Sequence, residues 1–227
     1  MGVGQQLMLI IPDLLLPKEV EEINLLMDVA SYDDGRLTAK GIAADVKSNR
    51  QVSRSWPQIG ALDALVQSAL CRNRLFREEL SPHAYSQILY SHYRSGDGYG
   101  PHVDAVMSGL PPMRQDISMT IFLSDPTTYV GGELQLIRSP SDSTKIKQAA
   151  GTGFAYPTTV IHEVLPIELG TRRVAVLWVQ SFFRDAEIRE MVADLRRCVE
   201  TAKKLPDGDP LPLSKVLGIM ERKFIST

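Results

Sequence analysis

Two side chains that commonly ligate metals stand two apart in "YGPHVDAV" (residues 99–106): His102 and Asp104. In an extended segment successive side chains alternate, so these two share a face while Val103 takes the other. The chain has four histidines, His83, His92, His102 and His162. A third ligand has to come from another strand, and His162 in "TVIHEVLP" offers one, with Val160 and Val164 on its own face. Two imidazoles and one carboxylate make the facial triad of non-haem Fe(II) oxygenases, which leaves coordination positions open. An HxD pair by itself reads equally well as a surface His and Asp near a turn, and a single His in an apolar strand is ordinarily a core residue. The metal reading rests on the combination of HxD at the start of a β zone, a His near its end, and an arginine soon after. His83 and His92 have no partner at metal spacing and read as structural.

The arginine matters because an open Fe(II) site needs an electron donor bound beside the metal. A keto acid serves with one end on the iron and a distant carboxylate on the protein. That carboxylate wants a planar, bidentate donor, which arginine provides and lysine does not. Such a charge-assisted contact contributes roughly 1.5–3 kcal/mol, or about 10–150-fold in affinity. Arg172 and Arg173 in "GTRRVAV" point to opposite faces of their strand. Parity does not choose between them, because Val174/Val176 and Ala175/Leu177 are both apolar.

The elements that must position these groups fall into three zones, read as one compact unit. Residues 1–83 are a mixed, largely helical support. "PKEVEEINLLMDVA" begins with Pro17, carries acids in its first turn and sets Val20, Ile23, Met27 and Ala30 at helical spacing, and "ALDALVQSALCRNRLFREEL" repeats the pattern. Between them the polar stretch "SYDDGRLTAKGIAADVKSNRQ" reads as loop or short irregular structure, and a loop this long in a compact domain is more often functional than idle. Residues 84–185 switch to period two. "DISMTIFL" places Ile117, Met119, Ile121 and Leu123 on one face, and "GELQLI", "VIHEVLPI" and "RVAVLWVQSFF" follow between turn signals. Short strands with Gly and Pro corners predict a sandwich or barrel. Residues 186–227 return to helix, interrupted at "PDGDP". The tail either packs on the barrel or offers Ile188, Met191, Val192 and Leu195 as the face of a homodimer.

Composition narrows the classes. The net charge of −2, without a long basic run, lacks the positive footprint of a nucleic-acid binder. "LMLIIPDLLLP" is broken by Pro12 and Asp13 and is too short to span a bilayer, so it reads as a buried strand leading into a turn. The two cysteines, Cys71 and Cys198, form no CxxC pair, which fits a reducing cytoplasm.

Three segments together resemble the PKHD-type hydroxylases, bacterial relatives of prolyl 4-hydroxylase in the Fe(II)/2-oxoglutarate dioxygenase superfamily. They are "YRSGDGYGPHVDAV", "RQDISMTIFLSDPTTYVGGELQLI" and "AYPTTVIHEVLPIELGTRRVAVLWVQSFFRD", and the likeness extends upstream through "DGRLTAKGIAADVKSNRQ" and downstream into the helical tail. The resemblance implies a double-stranded β-helix, or jelly-roll, core with flanking helices. It implies that His102, Asp104 and His162 ligate Fe(II). Arg172 would anchor the far carboxylate of 2-oxoglutarate, and Tyr93 matches a tyrosine that helps hold the co-substrate. Arg173 stands where the family pattern has a less polar residue.

The implied reaction consumes O₂ and 2-oxoglutarate, releases succinate and CO₂, and hydroxylates a substrate C–H bond, with ascorbate as reductant. Related halogenases lack a carboxylate at the position of Asp104, so its presence points to hydroxylation. The substrate would be peptidyl or amino-acid-like, with small molecules still open. "DVKSNRQ" (Asp45–Gln51) and "PPMRQD" (Pro111–Asp116) are candidate rims over the iron. Two competing classes are a cupin-like enzyme that does not use 2-oxoglutarate and a non-catalytic metal- or 2-oxoglutarate-binding sensor.

Overall fold

The computed structural model describes residues 8–39 and 41–226. The first zone contains β1 (Leu9–Ile11), α1 (Pro17–Asp28), β2 (Tyr32–Asp34), α2 (Ile42–Asp45), β3 (Lys47–Ser48), β4 (Arg50–Val52), α3 (Ile59–Arg72) and α4 (Arg74–Leu80). The early apolar run is the expected strand and turn, its first residue, Leu7, lying outside the described residues. The second apolar helix pattern is two helices. Asn73 ends α3 and caps α4, its side chain accepting from the Phe76 N–H at 2.9 Å.

The polar stretch after α1 is not a single loop. Its short strands belong to both sheets of the molecule: β2 pairs with β4, while β3 pairs with a strand of the opposite sheet. A short 3₁₀ turn, Gly35–Thr38, lies between β2 and α2. Lys40 lies outside the described residues.

The β zone runs through β5 (Pro82–Tyr85), β6 (Leu89–Arg94), β7 (Gly98–His102), β8 (Met107–Ser108), β9 (Met113–Arg114), β10 (Ile117–Phe122), β11 (Tyr129–Gly131), β12 (Leu134–Ser139), β13 (Asp142–Ile146), β14 (Gly153–Pro157), β15 (Ile161–Val164) and β16 (Ile167–Ser181). The major sheet runs β1-β14-β10-β16-β6-β4-β2, with β11 and β5 also paired to the long β16. The minor sheet runs β13-β12-β15-β7-β3. Two sheets from antiparallel, non-sequential strands form the double-stranded β-helix that the family resemblance implied, within the sandwich-or-barrel class that the alternation predicted.

Two apolar cores explain why β10 and β16 are so hydrophobic. One lies between the sheets and includes Phe122, Leu136, Phe154, Val164 and Val174. The other lies on the outer face of the major sheet, where Ile117, Met119, Ile121, Ala175 and Leu177 meet Ile23 and Met27 of α1 and Leu62, Val66 and Leu70 of α3. Every residue of β10 is therefore buried, as expected of a strand covered on both faces. Parity still has meaning: the odd residues of β10 face the helices, and Ser118, Thr120 and Phe122 face the other sheet.

Last come α5 (Ala186–Ala202) and α6 (Leu211–Phe224), which pack on one another, with α5 also packing on α4. Asp185 caps α5, accepting from the Glu187 and Ile188 N–H groups. Val192 is taken up by the protein's own core, while Met191 is 53% exposed. Among the described residues no helix is long and apolar enough to cross a membrane.

Candidate functional site

His102 and His162 are placed by sheet register. β7 and β15 are neighbours in the minor sheet, and the two histidines are direct cross-strand partners. Their rings lie 4.3 Å apart between centroids. β7 stops at His102, so Asp104 stands on the coil just beyond the strand end rather than on the strand itself. It still returns to the same side, and Val103 turns outward, 49% exposed.

The three candidate ligand atoms lie within 4.8 Å of one another. His102 Nε2 is 4.0 Å from Asp104 Oδ1, and His162 Nε2 is 3.7 Å from Oδ2. These gaps are too long for hydrogen bonds, and they leave the three donor atoms close enough to converge on one ion. Each Nδ1 is turned to a backbone carbonyl two residues earlier, His102 to Gly100 at 2.8 Å and His162 to Val160 at 3.0 Å. Such bonds fix the tautomer that leaves Nε2 free for a metal. Burial, then the nearby His162, pulls the His102 pKa down to about 4, so the imidazole is neutral at pH 7.

The surroundings hold this constellation still. Ser118, from the inward parity of β10, donates to Asp104 Oδ2. Tyr99 stacks on the His102 ring at 3.6 Å between centroids. Tyr156 meets His162 edge-on at 5.1 Å, and burial drives its phenol well above the ordinary range. Sequence reading missed Tyr99, Ser118 and Tyr156. A signal existed for Ser118 and Thr120: two hydroxyl side chains on one parity of the otherwise apolar "DISMTIFL".

The arginines separate cleanly. Arg173 faces the helices, where its Nη2 meets Asp28 Oδ1 at 2.5 Å and Nη1 reaches the backbone oxygen and Oδ1 of Asn24 at 3.2 Å. It ties β16 to α1. Arg172 faces between the sheets, 1% exposed, and among the described residues its Nε and Nη1 have no hydrogen-bond partner. The rings of Tyr93 and Phe122 flank the guanidinium at 5.1 and 5.8 Å, and Tyr93 is its cross-strand partner. Burial raises the Tyr93 phenol and the Arg172 charge opposes the rise.

A buried guanidinium with idle donors is an expensive arrangement unless an anion completes it. A dicarboxylate fits this need, and the imidazole–carboxylate donor set fits Fe(II). Gly132, in the β11–β12 turn, makes room for the arginine. A Cβ on Gly132, which has φ +68°, would stand 2.2 Å from Ile167 Cδ1 and 3.1 Å from Arg172 Cδ.

His102, Asp104, His162, Arg172 and Tyr93 all line one cavity of about 470 Å³. Lys47 and Gln51 from "DVKSNRQ" line it as well, as do Met107 and Ser108 of the β8–β9 hairpin and Gln115. Lys47 is 7% exposed, and burial lowers its pKa to about 8, so it remains mainly cationic at pH 7. The other two histidines are structural. His92 packs on Tyr32 at 5.3 Å and His83 on Phe182 at 4.9 Å between ring centroids.

A jelly-roll core with a His–Asp–His triad and a buried, unpaired arginine in the same cavity defines a class, the non-haem iron oxygenases that use a keto acid. Comparison with known proteins agrees. Residues 88–180 match the family model of the 2OG-Fe(II) oxygenase superfamily. A PKHD-type hydroxylase of Picosynechococcus sp. (strain ATCC 27264 / PCC 7002 / PR-6) is 43% identical over 82% of this chain and 83% of that protein. One from Gloeothece citriformis (strain PCC 7424) is 37% identical over 94% and 97%.

Among solved structures, an oxidoreductase of the 2OG-Fe(II) oxygenase family from Burkholderia pseudomallei superposes with a TM-score of 0.55 at 17% identity, over 75% of this chain and 82% of that one. A prolyl hydroxylase from Trichoplax adhaerens, in complex with a hypoxia inducible factor peptide fragment, gives 0.53 at 18% identity, over 82% and 86%. At these identities the structures speak for the fold alone. The chain belongs to the PKHD-type hydroxylases. Its metal cofactor is accordingly Fe(II), and its co-substrates are 2-oxoglutarate and O₂.

Proposed function

We propose that His102, Asp104 and His162 hold Fe(II), that Arg172 anchors the far carboxylate of 2-oxoglutarate, and that Tyr93 supports that end of the co-substrate. The observation that carries this reading is the convergence, in one cavity, of a ligand triad with free Nε2 atoms and a buried guanidinium with unpartnered nitrogens. Bound there, Fe(II) and 2-oxoglutarate supply oxygen activation, with conversion of the keto acid to succinate and CO₂ and of a substrate C–H bond to an alcohol.

The chain's own residues set the conditions for that chemistry. The backbone carbonyls of Gly100 and Val160 hold both imidazoles in the ligating tautomer. Ser118 orients the Asp104 carboxylate and satisfies one of its oxygens. As a metal ligand, Asp104 would stand where a halide would otherwise have to bind, which favours hydroxylation. Arg172 fixes the co-substrate at its distal end, and the aromatic side chains around it exclude water from that end of the cavity. The primary substrate is peptidyl, amino-acid-like or another small molecule. For assembly, the reading is a homodimer through the C-terminal helices, on the face that carries Ile188, Met191 and Leu195, Val192 being buried within the protomer; a monomer mass by light scattering at high micromolar protein would end it.

The test is succinate formation from 2-oxoglutarate with Fe(II), ascorbate and O₂, beside Fe(II)-dependent binding of 2-oxoglutarate. Wild type should show both. His162→Ala should abolish turnover, and Arg172→Ala should recover it only at much higher 2-oxoglutarate. Absence of both turnover and metal-dependent binding in the wild type would refute the reading in favour of a binding module of another kind.

A further inference from the structure

Charged groups lining the cavity can each be assigned a partner, with one exception. The lining contains two cationic side chains, Lys47 and Arg172, and one carboxylate, Asp104. In the proposed function Asp104 goes to the metal and Arg172 to 2-oxoglutarate. The two charges of Fe(II) and the two of the dicarboxylate cancel, so the loaded site keeps one positive charge, and Lys47 is the cation left without a counter-ion.

Its immediate contacts do not supply one. Among the described residues, Lys47 Nζ makes one hydrogen bond, to Thr38 Oγ1 at 2.9 Å, and no ion pair. A lysine ammonium carries three donors. Of the two carboxylates whose charge reaches it, Asp104 goes to the metal and Asp34 is engaged by Arg36, whose Nε lies 2.9 Å from Oδ2.

The ammonium is held in place rather than free to swing out. β3 is paired with β7, with Lys47 opposite Tyr99. Nζ stands 5.0 Å from the centroid of the Tyr99 ring, which itself stacks on His102. Lys47 is thus one aromatic ring removed from a metal ligand. Thr38 Oγ1, which receives its hydrogen bond, lies 2.7 Å from Gln51 Oε1, and Gln51 Nε2 donates to Ser91 Oγ at 3.2 Å. This polar ladder fixes the ammonium at the cavity wall. Apolar wall comes from Leu89, Val176 and Trp178 inside and from Leu37, Val103 and Met107 at the mouth, with the uncharged polar side chains of Ser108, Gln115 and Thr120 between them.

A buried, preorganised cation without an anion, in a small cavity whose other free walls are uncharged, is built for an anionic ligand. We propose that Lys47 binds a carboxylate of the primary substrate, so that the enzyme acts on a small carboxylic acid with an apolar body, such as an amino acid derivative or a peptide C-terminus. This rests on the oxygenase reading of the site and narrows its substrate class. Lys47 is a specificity residue here, and Thr38 and Gln51 position it.

Binding decides the matter without turnover. The wild-type protein, loaded with redox-inert Zn(II) and 2-oxoglutarate, is titrated calorimetrically with N-acetyl-L-leucine, N-acetyl-L-phenylalanine and N-acetyl-L-proline, and with their primary amides. Each pair differs only in the charge of one end. At least one acid should bind about 10-fold or more tightly than its amide, the effect of one charge-assisted contact. Lys47→Gln should erase that preference, Lys47→Arg should keep it, and the affinity for 2-oxoglutarate should change less than about 2-fold in either variant.

Amides that bind as well as acids would overturn the proposal, as would an acid preference that survives Lys47→Gln. So would the failure of every acid to bind below about 10 mM. A large loss of 2-oxoglutarate affinity in Lys47→Gln would assign the lysine to the co-substrate instead. If Lys47→Gln does not fold, the wild-type acid-to-amide ratio and its retention in Lys47→Arg decide. Wild-type protein that binds no 2-oxoglutarate in a metal-dependent way would sink the oxygenase reading itself, an outcome distinct from all of these.

Discussion

Replacing Arg172 by methionine should weaken the co-substrate and leave the ligand-free fold no less stable. The residue is 1% exposed, and its Nε and Nη1 have no partner in the absence of an anion. Replacing buried ionic groups by apolar side chains of similar volume is often neutral or stabilising by about 1–4 kcal/mol. The cation–π contacts to Tyr93 and Phe122 return part of the burial cost, of order 1 kcal/mol. For a chain this long, each kcal/mol shifts Tm by roughly 2–4 °C. The ligand-free Tm of Arg172→Met should therefore stay level or rise by several degrees.

Binding should move the other way. Loss of a charge-assisted, bidentate contact lowers 2-oxoglutarate affinity by about 10–150-fold. At a concentration 100 times the wild-type Kd, 2-oxoglutarate stabilises the wild type by about 2.7 kcal/mol, but a 100-fold weaker variant by only about 0.4 kcal/mol. Scanning calorimetry of the metal-loaded proteins, with and without 2-oxoglutarate under anaerobic conditions, reads both quantities. A ligand-free Tm that falls by more than about 4 °C, together with an unchanged response to 2-oxoglutarate, would show that Arg172 is a structural cation and refute the reasoning.

Arg173→Met serves as the contrasting case. It breaks the tie to Asp28 and Asn24, so stability should drop by about 1 kcal/mol or less while 2-oxoglutarate affinity holds, measurable in the same scans. Ser118→Ala removes the hydrogen bond to Asp104 and should weaken metal binding about 10–100-fold in competition with a chromophoric chelator; unchanged affinity would deny Ser118 an orienting role. Gly132→Ala forces a Cβ toward Ile167 and the Arg172 stem at a positive φ, and should cost about 1–3 kcal/mol of stability and raise the KM for 2-oxoglutarate. His92 is held near pKa 4 by burial, against about 6.5 when unfolded, so the stability it lends is present above about pH 6.5 and is lost as pH falls toward 4. His92→Phe should flatten the fall of Tm over that window relative to wild type; an identical slope would contradict the assignment.

The sequence by itself pointed to the candidate ligands. His102, Asp104 and His162 are chemically conspicuous among few histidines, and strand alternation suffices to put an HxD pair on one side. It also determined the β zone, because alternation with Gly and Pro corners survives in every strand that has one polar face. It misplaced the break at Asn73, where a helix pattern runs through a residue that caps a second helix.

What only the tertiary structure decided is sidedness and long-range convergence. β16 has the other sheet on one face and α1 and α3 on the other, so Val174 and Ala175 are equally buried, and hydrophobicity says nothing about which arginine turns inward. The polar stretch after α1 posed the opposite difficulty. Its strands are two or three residues long, too short for any period to show, and they form because β6 and β7 offer edges to pair with. That pairing carries Lys47 into the cavity beside Tyr99, a position decided by hydrogen bonds to residues some fifty places away in the chain.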